Sequence, residues 1–266
     1  MTNDTSHWFK FNRFNKLTFA AILLFVSSFF IVDFSWSSLL VTILMYVATI
    51  GFGVSVTFHR YITHSSFNMH PMLASFGKFI GSMAGTGSPI MWVQIHRSHH
   101  IHSDKDGDPH PPKHIVRTLS GSYPDVDRHG LRKFAGDKVS IFLHRNYFMV
   151  LYAYALAWFV FGGIDMLFYG FLYPVIMAIS FSNILNVMAH TRATGYRPFQ
   201  TSDNSVNNPL MAVLVFGEGW HNNHHRFPGN ANFRQRWWEF DMGYGIIKFF
   251  SLFGLTSPKN ANNSQL

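Results

Sequence analysis

Four stretches without a charged side chain, Leu17 to Val32, Leu39 to Phe58, Tyr147 to Ile164 and Met166 to Met188, set the tightest limit on how this chain can fold. Their lengths bracket the roughly 20 residues that cross hydrocarbon as a helix, the first being on the short side. A backbone in lipid must satisfy its own polar groups, which predicts an all-α integral membrane protein with spans at about 17–34, 39–58, 147–164 and 166–188. Only 13% of residues are charged, against roughly 25% in a soluble domain, while 48% are hydrophobic and 17% aromatic. The first run lacks a small-residue cleavage site and a second run follows at once, so it does not read as a secretory signal.

Charge orients the spans. The connections between runs one and two and between three and four hold Asp33 and Asp165 but no Lys or Arg. All 21 basic residues fall in the amino-terminal arm, in 59–146 or after His190. Positive loops mark the cytoplasmic face, so both termini and the segments 59–146 and 189–266 are expected there. The net charge of +8 is then topology charge, with no separate basic stripe to suggest nucleic acid. The arm, with Lys10, Arg13 and Lys16 among Trp8, Phe9 and Phe11, reads as an interfacial anchor.

On that cytoplasmic side the histidines cluster. Trp92-Val-Gln-Ile-His96-Arg-Ser-His99-His100 and Gly217-Glu-Gly-Trp-His221-Asn-Asn-His224-His225 each place three imidazoles at i, i+3 and i+4, a spacing that lets one helix face converge on one point. In His59-Arg-Tyr-Ile-Thr-His64 the pair is five apart, about 140° on an α-helix, so the helix must end between them or they serve different metals. Eight imidazoles exceed one tetrahedral ion and argue for two metals. Asn186 and His190 share a face at the end of the fourth run, which makes His190 a candidate ninth ligand. His7, His129 and His144 read as ordinary core or surface residues. The chain has no cysteine, which excludes thiolate zinc sites and cysteine-ligated clusters, so electrons must come from elsewhere.

The remaining segments take supporting parts. Met72 to Val93 is apolar but carries Lys78 and four glycines, and is expected to lie in the interface. Ser103 to Pro112 is a loop in which Asp104, Asp106 and Asp108 either cap turns or accept the free N–H of ligating imidazoles; Glu218 is a further such candidate. The loop lacks the distal glutamate of an EF-hand. Pro174 should kink the fourth span, Ser202 to Asn208 reads as a loop, and Trp237 to Leu255 as an aromatic amphipathic segment on the membrane surface.

Nitrogen-rich ligation without thiolate suits iron that meets dioxygen, and the surplus of histidines counts against a zinc hydrolase. The motifs His59-Arg-x-x-x-His64, His96-Arg-x-His99-His100 and Gly217-Glu-Gly-Trp-His221-Asn-Asn-His224-His225 resemble the three histidine boxes of membrane-bound fatty-acid desaturases of the stearoyl-CoA (delta-9) type. Asn186-x-x-x-His190 followed by Gly195-Tyr-Arg-Pro198 is similar to that family's stretch for a ninth ligand and a water-holding asparagine.

The resemblance implies one desaturase domain over 1–266 with a cytoplasmic diiron cap. By position His59, His64, His96, His99, His100, His190, His221, His224 and His225 would ligate two ferrous irons, and Asn186 would hold a metal-bound water. The implied reaction uses dioxygen and two electrons to place a cis double bond in a saturated acyl chain. Gln94 and Ile95 stand where animal acyl-CoA desaturases carry an Arg-Asp pair, and the surrounding residues look more like the cyanobacterial and plant branch, so acyl-CoA and lipid-linked chains both remain open as carriers. The haem-binding His-Pro-Gly-Gly of a fused cytochrome b5 domain does not occur, so an external donor, ferredoxin or cytochrome b5, is expected. Two other readings fit part of the pattern: a related histidine-box oxygenase such as a hydroxylase or ketolase, and a non-catalytic membrane metal-binding protein. Arg60 stands where alkane hydroxylases typically place an acid, and the spans offer a metal carrier only Ser, Thr and Asn.

Overall fold

The computed structural model describes residues 13–119 and 131–259; Trp8, Phe9, Lys10, Phe11, His7 and His129 lie outside them. Helix α1 (Arg13–Ser28) turns into α2 (Trp36–Thr63), which Ser35 caps through its hydroxyl. From Val47 to Thr63 α2 is wound as a π-helix. The Thr57 and Thr63 hydroxyls follow that winding and donate to the carbonyls of Phe52 and Phe58, five residues back.

Past α2, a short strand β1 (Phe67–Met69) pairs antiparallel with β2 (Thr256–Pro258), which pins the carboxyl-terminal part of the chain beside α3 (Pro71–Ser82). Glycines let α3 lie close against α2. A Cβ on Gly53 would strike the backbone of Gly81, and one on Gly77 would strike Thr57. Ala74, Gly77 and Gly81 face inward, while Met72 and Phe76 are exposed. Helix α4 (Pro89–His102) follows, capped by Ser88. After it come α5 (Ile115–Leu119) and α6 (Lys138–Arg145). His144 donates or accepts at Ser88 Oγ, 2.7 Å away, a satisfied structural histidine.

The stretch Tyr147–Met188 is predominantly apolar but is not one rod. Helix α7 (Tyr147–Met166) breaks at Gly162 and Gly163, where Gly163 has φ 65° and ψ −151°, a backbone open only to glycine. The chain then folds back on itself: Tyr154 Oη donates to Gly170 O at 2.8 Å, and the Trp158 ring packs against Gly170. The reversal falls at the two glycines, just before Asp165. A π-wound segment, Leu167–Leu172, passes into α8 (Tyr173–Met188) directly before Pro174, whose missing N–H removes one helical bond. Helices α1 and α2 pack on α8 and on that π segment. Tyr169 holds the two turns together, its hydroxyl donating to Asp33 O (3.0 Å) and its carbonyl accepting from Thr42 (2.7 Å).

Both Trp36–Thr63 and Tyr147–Met188 are long and apolar enough to cross a bilayer. Only 17% of the most apolar part of the second is covered by protein, and Val160 and Phe161 are each 77% exposed. Bare apolar surface of this extent is lipid-facing surface, and the protein is a membrane protein.

The carboxyl-terminal part adds α9 (Pro209–Leu214), α10 (His221–Arg226) and α11 (Met242–Ser251). The expected amphipathic segment is helical only over α11; Trp237 and Trp238 precede it in a turn, Trp237 exposed and Trp238 against Trp220 and Tyr196.

Candidate metal centre

Helix ends bring the histidines together. The π-wound end of α2 delivers His59 and His64, α4 delivers His96, His99 and His100, the turn after α8 delivers His190, and α10 delivers His221, His224 and His225. Their donor nitrogens form two groups: His59, His64, His96, His100 and His224 in one, and His99, His190, His221 and His225 in the other.

That partition decides one expectation drawn from spacing, since the helix ends at Thr63, between His59 and His64, and it corrects a second. His59 and His64 belong to one group, because i→i+5 winding places residues five apart nearly above each other; the His64 N–H donates to His59 O at 3.1 Å. Nor does each HxxHH box aim at one point. Residues i and i+4 diverge by about 40° on an α-helix, whereas i+3 and i+4 diverge by about 100°. His96 and His100 therefore stay together and His99 goes to the other group, and His221 and His225 stay together while His224 crosses over.

The donor set fits a metal. Nε2 atoms face each other at 3.0 Å (His59 and His224), 3.1 Å (His64 and His96), 2.9 Å (His96 and His100), 2.9 Å (His100 and His224) and 3.0 Å (His190 and His221). For a metal–nitrogen bond of about 2.1 Å, donors at right angles lie about 3.0 Å apart and tetrahedral donors about 3.4 Å. The Nε2 atoms of His99 and His225 are buried without a hydrogen-bond partner.

Four carboxylates fix the tautomers. Nδ1 of His59 meets Glu218, Nδ1 of His99 meets Asp108 at 3.0 Å, Nδ1 of His190 meets Asp104 at 3.1 Å, and Nδ1 of His225 meets Asp203 at 2.7 Å. With its proton on Nδ1, each ring turns an Nε2 lone pair toward its group. Lone pairs at 3 Å repel unless a cation lies between them. Burial first, then neighbouring rings, holds His96, His99, His100, His221 and His224 well below the ordinary 6.5, so they are neutral near pH 7. Burial would raise Asp203 and Glu218, but their histidine partners pull both below the usual carboxylate range; burial raises Asp108.

Sequence reasoning identified Asp104, Asp108 and Glu218 as partners but missed Asp203, a lone acid in a polar loop. Asp106, grouped with Asp104 and Asp108 in the sequence, is fully exposed and pairs with Lys113 at 3.2 Å. It points away because the turn closes on Asp108, which accepts the N–H groups of Asp104 and His110. His110 was also missed: it is buried, with its ring centroid 4.2 Å from that of His99. Arg60, next to His59, is completely buried and bridges Glu218 and Asp241. Asn207, Asn222, Asn223 and Glu239 interlock beneath α10 and hold that short helix in place.

Among the described residues, two openings reach the histidines. An apolar cavity among Ile50, Val54, Trp92, Ile95, Ile179 and Val215 ends at His59, His96 and His221. Asn186 lines it, and among the described residues no hydrogen bond joins Asn186 to any of the nine histidines. A second, polar recess is walled by Gln200, Thr201, Ser202, Asp203 and Arg226 and reaches His100 and His225. Those two rings, one from each group, stack with centroids 4.5 Å apart and planes 21° from parallel.

The sequence profile of the fatty acid desaturase family matches residues 34–248. An sn-1 stearoyl-lipid 9-desaturase from Anabaena variabilis is 34% identical, over 99% of this chain and 98% of its own length. The protein of the same name from Synechocystis sp. is 33% identical over 94% of this chain and 79% of its own. Delta-9 acyl-lipid desaturase 1 from Arabidopsis thaliana is 32% identical over 88% and 79%. A membrane protein with two histidine groups at the end of an apolar cavity, matched in this way over nearly its whole length, belongs to the fatty acid desaturase family.

Proposed function

We propose that this enzyme introduces a cis double bond at the ninth carbon of a saturated acyl chain carried on a membrane lipid, with two irons, dioxygen and an external one-electron donor. The first iron would be held by His59, His64, His96, His100 and His224, and the second by His99, His190, His221 and His225, with Asn186 holding a water from the cavity side. When bound, the pair supplies the reduction of dioxygen that draws two hydrogens from unactivated methylenes. The observation that carries the reading is the apolar cavity that ends on histidines of both groups.

The residues divide the work. Ile50, Val54, Ile179 and Val215 exclude water from the acyl chain, and Trp92 and Ile95 hold it against His96. Holding the reacting carbons at one depth fixes where the bond forms. Glu218, Asp108, Asp104 and Asp203 keep four Nδ1 protons in place, so that their rings present lone pairs at Nε2.

The same reading takes α1, α2 and the two arms of the α7–α8 hairpin as four crossings, with the histidine cap and both termini in the cytoplasm. Two facts support it: Tyr169, a few residues past the Gly162–Gly163 reversal, donates to Asp33 O in the other turn, and in the sequence neither of those connections carries a Lys or Arg. A lipid carrier is favoured by Gln94 and Ile95 and by the names of the cyanobacterial relatives.

Fatty-acid methyl ester profiling of host membranes with and without the expressed chain tests the function. The expected result is a new cis-9 monoene in the lipid-bound pool. A hydroxylated product, or an unchanged profile with iron loaded and a donor supplied, overturns the reading.

A further inference from the structure

The polar recess opens on the histidines without passing through the apolar cavity, and its surroundings carry a clear charge pattern. Arg226 forms part of its wall and is exposed. Arg192, also exposed, donates from Nε to Asn204 at 3.0 Å, beside the wall residue Asp203. Exposed Lys105 follows Asp104, whose carboxylate accepts the Asn204 N–H at 2.6 Å and so ties that loop to the same rim. The acids there are turned inward: Asp104 to His190 and Asp203 to His225. Of the exposed charges there, Lys105, Arg192 and Arg226 are positive and the one exposed acid, Asp106, is paired with Lys113; the recess they flank reaches the two stacked imidazoles.

Resting on the desaturase reading, we propose that this rim is the docking surface for an acidic one-electron carrier protein, and that electrons pass inward through the stacked His100 and His225. The chain has no cysteine to ligate an iron–sulfur cluster. The apolar cavity is where an acyl chain fits, and the recess is a second route to the centre. A carrier pressed on the rim comes within reach of both histidine groups at once, because the stacked rings belong one to each. Two carrier molecules would be oxidised in turn, each giving one electron through the stacked His100 and His225 to metal held by the two groups. Those electrons, two protons from water and the two hydrogens taken from the acyl chain convert one dioxygen to two waters.

The test uses the full chain, iron-loaded, in phosphatidylcholine nanodiscs, with two acidic probes: a plant-type [2Fe–2S] ferredoxin and the soluble haem domain of cytochrome b5. Affinity is measured by biolayer interferometry across a salt series, and reoxidation of each pre-reduced carrier by anaerobic stopped flow. At least one carrier should bind the wild type with an affinity that falls steeply with salt. R192E/R226E should weaken binding by at least about tenfold and slow carrier reoxidation in step, with K105E acting in the same direction. K248E, an exposed charge reversal on α11, should leave binding unchanged, and dithionite should reduce every variant at the same rate. Should R226E disturb the neighbouring His225 and lower iron content, K105E/R192E carries the test. Failure of both carriers to bind the wild type, or equal binding by the rim variants, overturns the proposal. Failure of the desaturase reading would show separately, as no monoene from wild-type enzyme driven by dithionite.

Discussion

Four carboxylates, Asp108 and Asp203 buried and Asp104 and Glu218 half-buried, each hold one imidazole by its Nδ1 proton, and Asp203 does so with further help. It accepts from the Thr201 hydroxyl at 2.7 Å and the Ser205 N–H at 2.9 Å, so its orientation is fixed before it meets His225. Loss of such a partner typically costs ten- to a hundredfold in metal affinity. Asp203→Ala is therefore expected to lower iron affinity by about that factor with the protein still inserted, read by chelator competition and metal analysis. The histidine positions were legible in the sequence because imidazoles at helical spacing declare themselves. Asp203 was not: it lies 22 residues before His225, in a polar loop whose composition resembles any turn, and only the fold brings the two together. His110 was hidden for a similar reason, since a single histidine after Asp-Pro carries no periodic signal.

Among the elements, α2 does the most to shape the centre. Its π winding brings His59 and His64 into one group, and its Gly53 lets the α3 backbone lie against it. The apolar runs made the helices readable, but winding was not, because hydropathy reports that a helix exists and not how many residues each turn takes. The reversal at Gly162–Gly163 was nearly legible: an acid in an apolar run marks a helix end to within a few residues, while the turn itself goes where glycine permits the backbone. At the α2–α3 crossing, Gly53→Val would place side-chain atoms where the Gly81 backbone runs. Overpacking of this kind costs about 1–3 kcal/mol. Thermal melting in detergent should fall by about 2–4 °C for each kcal/mol.

For the whole molecule, the concentration of neutral imidazoles makes stability depend on acid. The buried rings of α4 and α10 have folded-state values below the 6.5 of an exposed histidine, chiefly through burial. As pH falls below about 6.5 the unfolded chain takes up protons that the folded chain refuses, so stability is full above that pH and declines beneath it. Protons also compete with metal at Nε2, in the same direction. Melting curves of the metal-free protein from pH 7.5 to 5 should show a falling midpoint, and the iron-loaded protein should release iron over the same range. The carboxylates that hold these rings are unevenly shared. Behind the five-histidine group stands Glu218, its charge countered by buried Arg60; behind the four-histidine group stand Asp104, Asp108 and Asp203. Negative charge relayed through imidazole favours the higher oxidation state, so two irons held as proposed by these groups would differ as oxidants. Mössbauer spectra of a half-oxidised sample are expected to show a trapped ferric ion at the four-histidine position, and Asp108→Asn to move that preference toward the other.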